Sequence, residues 1–107
     1  MALYEKRTYS IIVGRMPEVI RLYNEQGWPA LQAGGYADHL VGYFTSDTGT
    51  LHQLIHIWRF DDDVARREFW KRLYADETFM KFAVEIRQSI SHQDVQLLLP
   101  APWGPQP

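Results

Sequence analysis

The sequence predicts an α+β domain with ferredoxin-like βαββαβ order, in which a four-stranded antiparallel sheet carries its helices on one face. Three observations predict it. Two-residue alternation marks four extended runs, and three- and four-residue spacing marks the segments between them. Only an Asp47-Thr48-Gly49 turn separates the second run from the third, which reads as an antiparallel hairpin.

The elements follow in order. Residues 3–13 are rich in Tyr, Thr, Ile and Val and read as the first strand, ended by Gly14. Pro17 suits the first turn of a helix. Met16, Val19, Ile20, Tyr23 and Gly27 then recur at helical spacing, Pro29 interrupts or kinks the helix, and Gly34-Gly35 closes it. Residues 36–46 and 51–60 read as strands two and three. Asp61, Asp62 and Asp63 offer N-caps for a helix through Tyr74, and Asp76 caps a second over residues 77–89. Residues 92–99 form the last strand. The tail, residues 100–107, holds four prolines and is expected extended or frayed.

A chain of 107 residues is one domain, with its core over about residues 3–99. Hydrophobic residues make up 46% and charged residues 22%, an ordinary globular balance. The net charge is −2 and the basic residues around Arg66 sit among acids, so the run reads as a solvated helix face and nucleic acid is not an expected partner. With no cysteine, disulfides and thiolate chemistry are excluded. Glu5, Lys6 and Arg7 stand where a signal peptide needs an apolar core, and no apolar run approaches the about 20 residues that span a bilayer. The expectation is a cytoplasmic protein that meets no membrane. Strands two and three carry Tyr43, Phe44, Trp58 and Phe60, so neither sheet face is freely solvated. A second copy over the open face, giving a closed dimeric α+β barrel, is the expected cover.

Several segments carry a resemblance. Tyr4-Glu5-Lys6-Arg7-Thr8-Tyr9 followed by Gly14, then Leu40-Val41-Gly42-Tyr43-Phe44, then His56-Ile57-Trp58 with Phe60 and Asp61, and finally Gln93, Leu98, Leu99 and Pro100 resemble, in that order, the NIPSNAP family. The match runs over about residues 3–102. It departs at Lys6, His52 and Phe79, where the family often carries an apolar residue, Asn and Trp. The resemblance implies a dimeric α+β barrel and little about chemistry, because related barrels include monooxygenases, isomerases and haem-handling proteins.

Glu5, Arg7 and Tyr9 alternate on one face of strand one, and His52, Leu54, His56, Trp58 and Phe60 on one face of strand three. Ile55 and Ile57 suit packing against helices, which by elimination sends His56 and Trp58 into the barrel interior. The catalytic candidates are His56, for proton transfer near neutral pH, Arg7, for a bidentate carboxylate pair, and Tyr9, as a donor to a developing oxyanion. The ligand-binding candidates are Glu5, Trp58, His52 and Tyr43. His52 and His56 share a strand face but lie about 13 Å apart, too far to hold one ion, and the pattern calls for no cofactor and no metal. The expected ligand is small, flat and anionic. The alternatives are a non-catalytic interaction or scaffold protein, in which these groups only pair and pack, and a cofactor-free monooxygenase- or isomerase-like enzyme using His56 and Arg7.

Overall fold

A computed structural model describes residues 2–107. Strands β1 (Leu3–Ile11), β2 (Leu40–Thr45), β3 (Gln53–Phe60) and β4 (Ile90–Leu98) form one antiparallel sheet in the order β2-β3-β1-β4. Helices α1 (Met16–Leu22), α2 (Trp28–Ala33), α3 (Asp63–Tyr74) and α4 (Glu77–Arg87) complete the βαββαβ order. The fold class expected from the sequence is the one observed.

The boundaries differ for local reasons. Between α1 and α2 the chain does not break at Pro29. It widens into one π turn, Tyr23–Gly27, where the Trp28 N–H donates to the Tyr23 carbonyl five residues back. The wider turn accommodates a proline that has no N–H to give. Residues 36–39 form a 3₁₀ turn instead of strand: Gly35 is left-handed, and the buried Tyr36 donates its hydroxyl to Asp76, 2.9 Å away. Asp76 also accepts from the Thr78 and Phe79 N–H groups, so one carboxylate caps α4 and anchors that turn. His52 has φ of 61°, which takes it out of β3. The tail folds back, and the Tyr4 hydroxyl donates to the Pro107 carbonyl at 2.6 Å.

Register decides which residues share a face. Glu5 lies opposite Trp58, Arg7 opposite His56, Tyr9 opposite Leu54 and Tyr43 opposite His56. Directly paired side chains stand on the same face. That face lies under the helices: Trp58 packs on Phe69 and Trp70 of α3, with ring centroids 5.2 and 5.6 Å apart. The expectation that His56 and Trp58 turn toward an open barrel interior is therefore wrong. Leu54, Trp58 and Phe60 share parity with His56 and together bring far more apolar area to the helices than Ile55 and Ile57 do. The isoleucines stand half-buried on the opposite face, with Lys6 and Thr8.

Two apolar clusters hold the helices to the sheet, one around Trp58, Phe60, Phe69 and Leu73 and one around Ile11, Val19, Leu54 and Phe82. Gly27 of the π turn belongs to the second contact. A Cβ there would stand 2.5 Å from the Phe82 ring. Gly27→Ala gains up to about 1 kcal/mol of helix propensity but overpacks a buried ring at about 1–3 kcal/mol. The expected result in urea unfolding is a net loss of stability; a variant more stable than wild type would show that the ring moves freely.

Candidate functional site

Between the two clusters runs a row of polar side chains. Glu5 is 0% exposed and its charge is matched twice: its carboxylate accepts from Arg7 Nε at 2.6 Å and from Arg66 Nη1 at 2.7 Å. Arg66 also donates to Asp63 at 2.9 Å. Arg66 thus leaves the solvated helix face expected of it and reaches through to the sheet. A buried carboxylate with one partner removed would be costly, so this arrangement pins α3 to β1.

Arg7 is held by its neighbours through Nε and Nη1. Its guanidinium lies 3.8 Å over the Trp70 ring, and its Nη1 donates to the Tyr74 hydroxyl at 3.1 Å and, more weakly, to the Tyr9 hydroxyl at 3.4 Å. Burial disfavours the Arg7 cation, but the phenolic oxygens of Tyr9 and Tyr74 and the Glu5 bond outweigh it and hold the charge. Both hydroxyl oxygens accept from Arg7, so their hydrogens are free to donate elsewhere. Burial also raises the Tyr9 pKa, with Arg7 offsetting only part of the rise, which keeps Tyr9 protonated. Arg7 therefore acts through two tyrosines instead of gripping a carboxylate directly.

His56 is 2% exposed. The indole N–H of Trp58 donates to its Nδ1 at 2.6 Å, so the neutral ring carries its proton on Nε2. Burial first, and Arg7 second, push its pKa down to about 3. At neutral pH the ring is a hydrogen-bond donor, not the proton carrier expected from the sequence. The Tyr43 ring stacks on it at 4.6 Å, and Tyr9 meets its edge at 4.8 Å. Trp58 is packed on several sides by rings and has no face left for a flat ligand.

These groups enclose a cavity of about 50 Å³, lined among others by Tyr9, Tyr43, His56, Trp70 and Tyr74, with Tyr23 of the π turn. Two buried polar atoms among the described residues have no partner, His56 Nε2 and Trp70 Nε1. Both side chains line this cavity, and both atoms are donors. No Asp or Glu lines it. The exposed liners, Tyr74, Arg87 and Gln93, mark where it meets solvent between α4 and β4.

The structure thus brings Glu5, Arg7, Tyr9, Tyr43, His56 and Trp58 onto one face and leaves His52 exposed in the β2–β3 turn, outside the site. Sequence reasoning missed Arg66, Trp70 and Tyr74, although they recur at four-residue spacing on α3 and so mark a single helix stripe. It also missed Tyr23, Arg87 and Gln93.

The architecture is that of the dimeric α+β-barrel class. An antibiotic biosynthesis monooxygenase shares it, with a TM-score of 0.64 over 94% of this chain and 99% of that one; at 18% identity the likeness concerns the fold alone. The family is narrower. The NIPSNAP sequence pattern matches residues 4–105, and the chain belongs to the NIPSNAP family. A NIPSNAP family protein of Agrobacterium tumefaciens is 29% identical, with a TM-score of 0.89 over 96% of this chain and 89% of that one. An uncharacterised NIPSNAP domain protein of Burkholderia xenovorans is 32% identical, with a TM-score of 0.85 over 97% and 99%. Among curated proteins none matches in sequence.

The His56 tautomer carries a test. Its folded pKa lies below the unfolded value of about 6.5, so between about 3 and about 6.5 the unfolded chain holds the extra proton and stability rises with pH. The stabilisation is fully present above about 6.5 and fades as pH falls, by a few kcal/mol in all. Urea unfolding of wild type should weaken from pH about 6.5 down to about 5, before carboxylates contribute. His56→Gln, which can still accept from Trp58, should be flat over that range. An equal slope in both proteins would mean the ring is not held neutral.

Proposed function

We propose that this NIPSNAP protein binds a small molecule by an acceptor oxygen, in the cavity between the sheet and α3–α4. One observation carries the reading: the cavity is bordered by buried donors without partners, His56 Nε2–H and Trp70 Nε1–H. Buried donors of this kind find an acceptor in protein, water or ligand, and the described residues supply none to these two. The hydroxyls of Tyr9 and Tyr74, turned into donors by Arg7, add to the same polarity. A ligand that only accepts fits them.

Volume narrows the choice. A cavity of about 150 Å³ holds benzene, and one water needs about 10–15 Å³. The 50 Å³ here takes a group of three or four heavy atoms, a carboxylate with its adjoining carbon, and not a ring. The flat part of the ligand expected from the sequence has no support in this space; the anionic part does. His56 Nδ1 is occupied and no carboxylate lines the cavity, so no free base stands there, which favours binding over proton abstraction. The cysteine-free chain fits the reducing cytoplasm as its setting, and no helix of the described residues is long and apolar enough to cross a membrane.

Small monocarboxylates from acetate to butyrate, followed by thermal shift, test the reading. A ligand at about 100 times its dissociation constant stabilises by about 2.7 kcal/mol, which is several degrees here. Tyr9→Phe, which keeps the ring and removes one donor, and His56→Gln should each weaken the shift. If no carboxylate moves the wild-type midpoint, or both variants respond as wild type does, the cavity is not the site.

The homodimer belongs to the same proposal. The sheet face away from the helices carries Ile55, Ile57, Phe44 and Leu98, with Phe44 53% exposed. A second copy of this face is its expected partner. Light scattering after gel filtration should give twice the chain mass for wild type and the chain mass for Ile57→Asp with Phe44→Asp, both folded by circular dichroism. A monomeric wild type would leave that face to another partner.

A further inference from the structure

The mouth of the cavity carries charge that nothing in the chain answers. Arg87 stands in the last turn of α4, exposed, and makes no ion pair or side-chain hydrogen bond among the described residues. Arg59 is likewise exposed and unpaired among the described residues but lies outside the cavity lining, and the remaining arginines are engaged. Arg21 lies between Glu18 and Glu25, Arg66 and Arg67 share Asp63, and Arg7 holds Glu5. A cation at a helix C-terminus is favourable in itself, by about 0.3–1 kcal/mol. That accounts for an arginine at the end of α4. It does not account for one that borders the same cavity as His56, Tyr9 and Trp70.

Gln93 stands across the mouth. It lies opposite Tyr9 in the β1–β4 register and therefore on the face that carries the site. It borders the cavity from the sheet side, as Arg87 does from the helix side. The amide of Gln93 and the fork of Arg87 are both able to donate to a planar oxygen pair. With no carboxylate among the lining residues, the positive charge of Arg87 meets no compensating negative charge along the cavity wall.

We infer that Arg87 and Gln93 form a second, outer anion subsite, and that the ligand is a short dicarboxylic acid: one carboxylate fills the enclosed cavity and the other meets Arg87 at the mouth. This rests on the inner cavity being a carboxylate site. The inner space admits only three or four heavy atoms, so the rest of any larger ligand must lie where Arg87 and Gln93 are. A guanidinium selects a carboxylate there through a charge-assisted, bidentate pair. Arg87 is thus a specificity-determining residue and not part of the inner site.

Isothermal titration of the full-length protein at near-physiological salt, with acids paired by chain length, tests this: malonate against propionate, succinate against butyrate, glutarate against valerate. Wild type should bind the best-fitting dicarboxylate about tenfold or more tightly than its monocarboxylate partner. Arg87→Gln, which gives up the helix-end cation and so lowers the thermal midpoint by at most a few degrees, should bring that ratio to about one, with the monocarboxylates weakened less than the dicarboxylates. Arg87→Lys should retain part of the ratio, since it keeps the charge and loses the fork. The inference is overturned if wild type does not distinguish the pairs, or if Arg87→Gln keeps the preference. If wild type binds monocarboxylates but not dicarboxylates better, only the outer subsite falls. If it binds no acid at all, the inner cavity reading falls and takes the outer subsite with it.

Discussion

A carboxylate taken wholly out of water costs a fold about 3–5 kcal/mol when a partner is removed, and Glu5 sets that condition for this protein. It stands on the central strand β1 with no exposure, and two guanidinium groups meet it. Arg7 comes from its own strand and Arg66 from α3, so the pairing fixes the helix against the sheet. The orientation of the Tyr9 and Tyr74 hydroxyls descends from that contact. Arg7, held at one end by Glu5, lies flat on Trp70 and presents Nη1 to Tyr9 and Tyr74. Without the Glu5 bond the same guanidinium would be free to take an anion directly. With it, Arg7 becomes the residue that directs two hydroxyls.

The apolar framework explains why such a row survives inside a small domain. The clusters around Phe69 and Phe82 flank the polar row on either side, and Tyr43 and Phe79 pack against both. Rings therefore supply most of the burial, and the polar groups occupy the seam between two packed bodies. The π turn serves that seam. It carries Tyr23 to the cavity wall and places side-chain-free Gly27 against Phe82. A regular helical turn at that point would set residues 23–27 at different angles, and the proline that follows makes the irregular turn the less costly one.

Much of this was legible in the sequence. Alternation placed Glu5, Arg7 and Tyr9 on one face and His56 with Trp58 on another, and the βαββαβ order made β1 and β3 neighbours, so the grouping of these residues follows from pattern alone. The side of the sheet they occupy did not follow. Period-two alternation assigns residues to two faces without saying which is covered, and choosing by Ile55 and Ile57 weighed branching over area. Had Arg66, Trp70 and Tyr74 been read as one stripe of α3, the answer was available: an arginine and two aromatics facing inward need a polar partner on the sheet, and Glu5 is the only acid in β1. His52 misled because spacing is blind to backbone conformation, and a left-handed residue just before β3 ends the alternation there. The protonation state of His56 was beyond reach, since it depends on a bond from Trp58 within the same strand and on the depth of burial.

That protonation state shapes the whole site. A histidine near neutral pH is usually a residue that exchanges protons, but here its basic nitrogen is closed by an indole and its charged form is disfavoured by burial and by Arg7. What remains is a rigid N–H, stacked on Tyr43 and edged by Tyr9, which cannot turn to find another partner without losing the Trp58 bond. Trp70 is held as firmly beneath Arg7. Two fixed donors beside a small space with no carboxylate in its lining are a preorganised arrangement. It loses little entropy when a ligand oxygen takes up the two N–H groups.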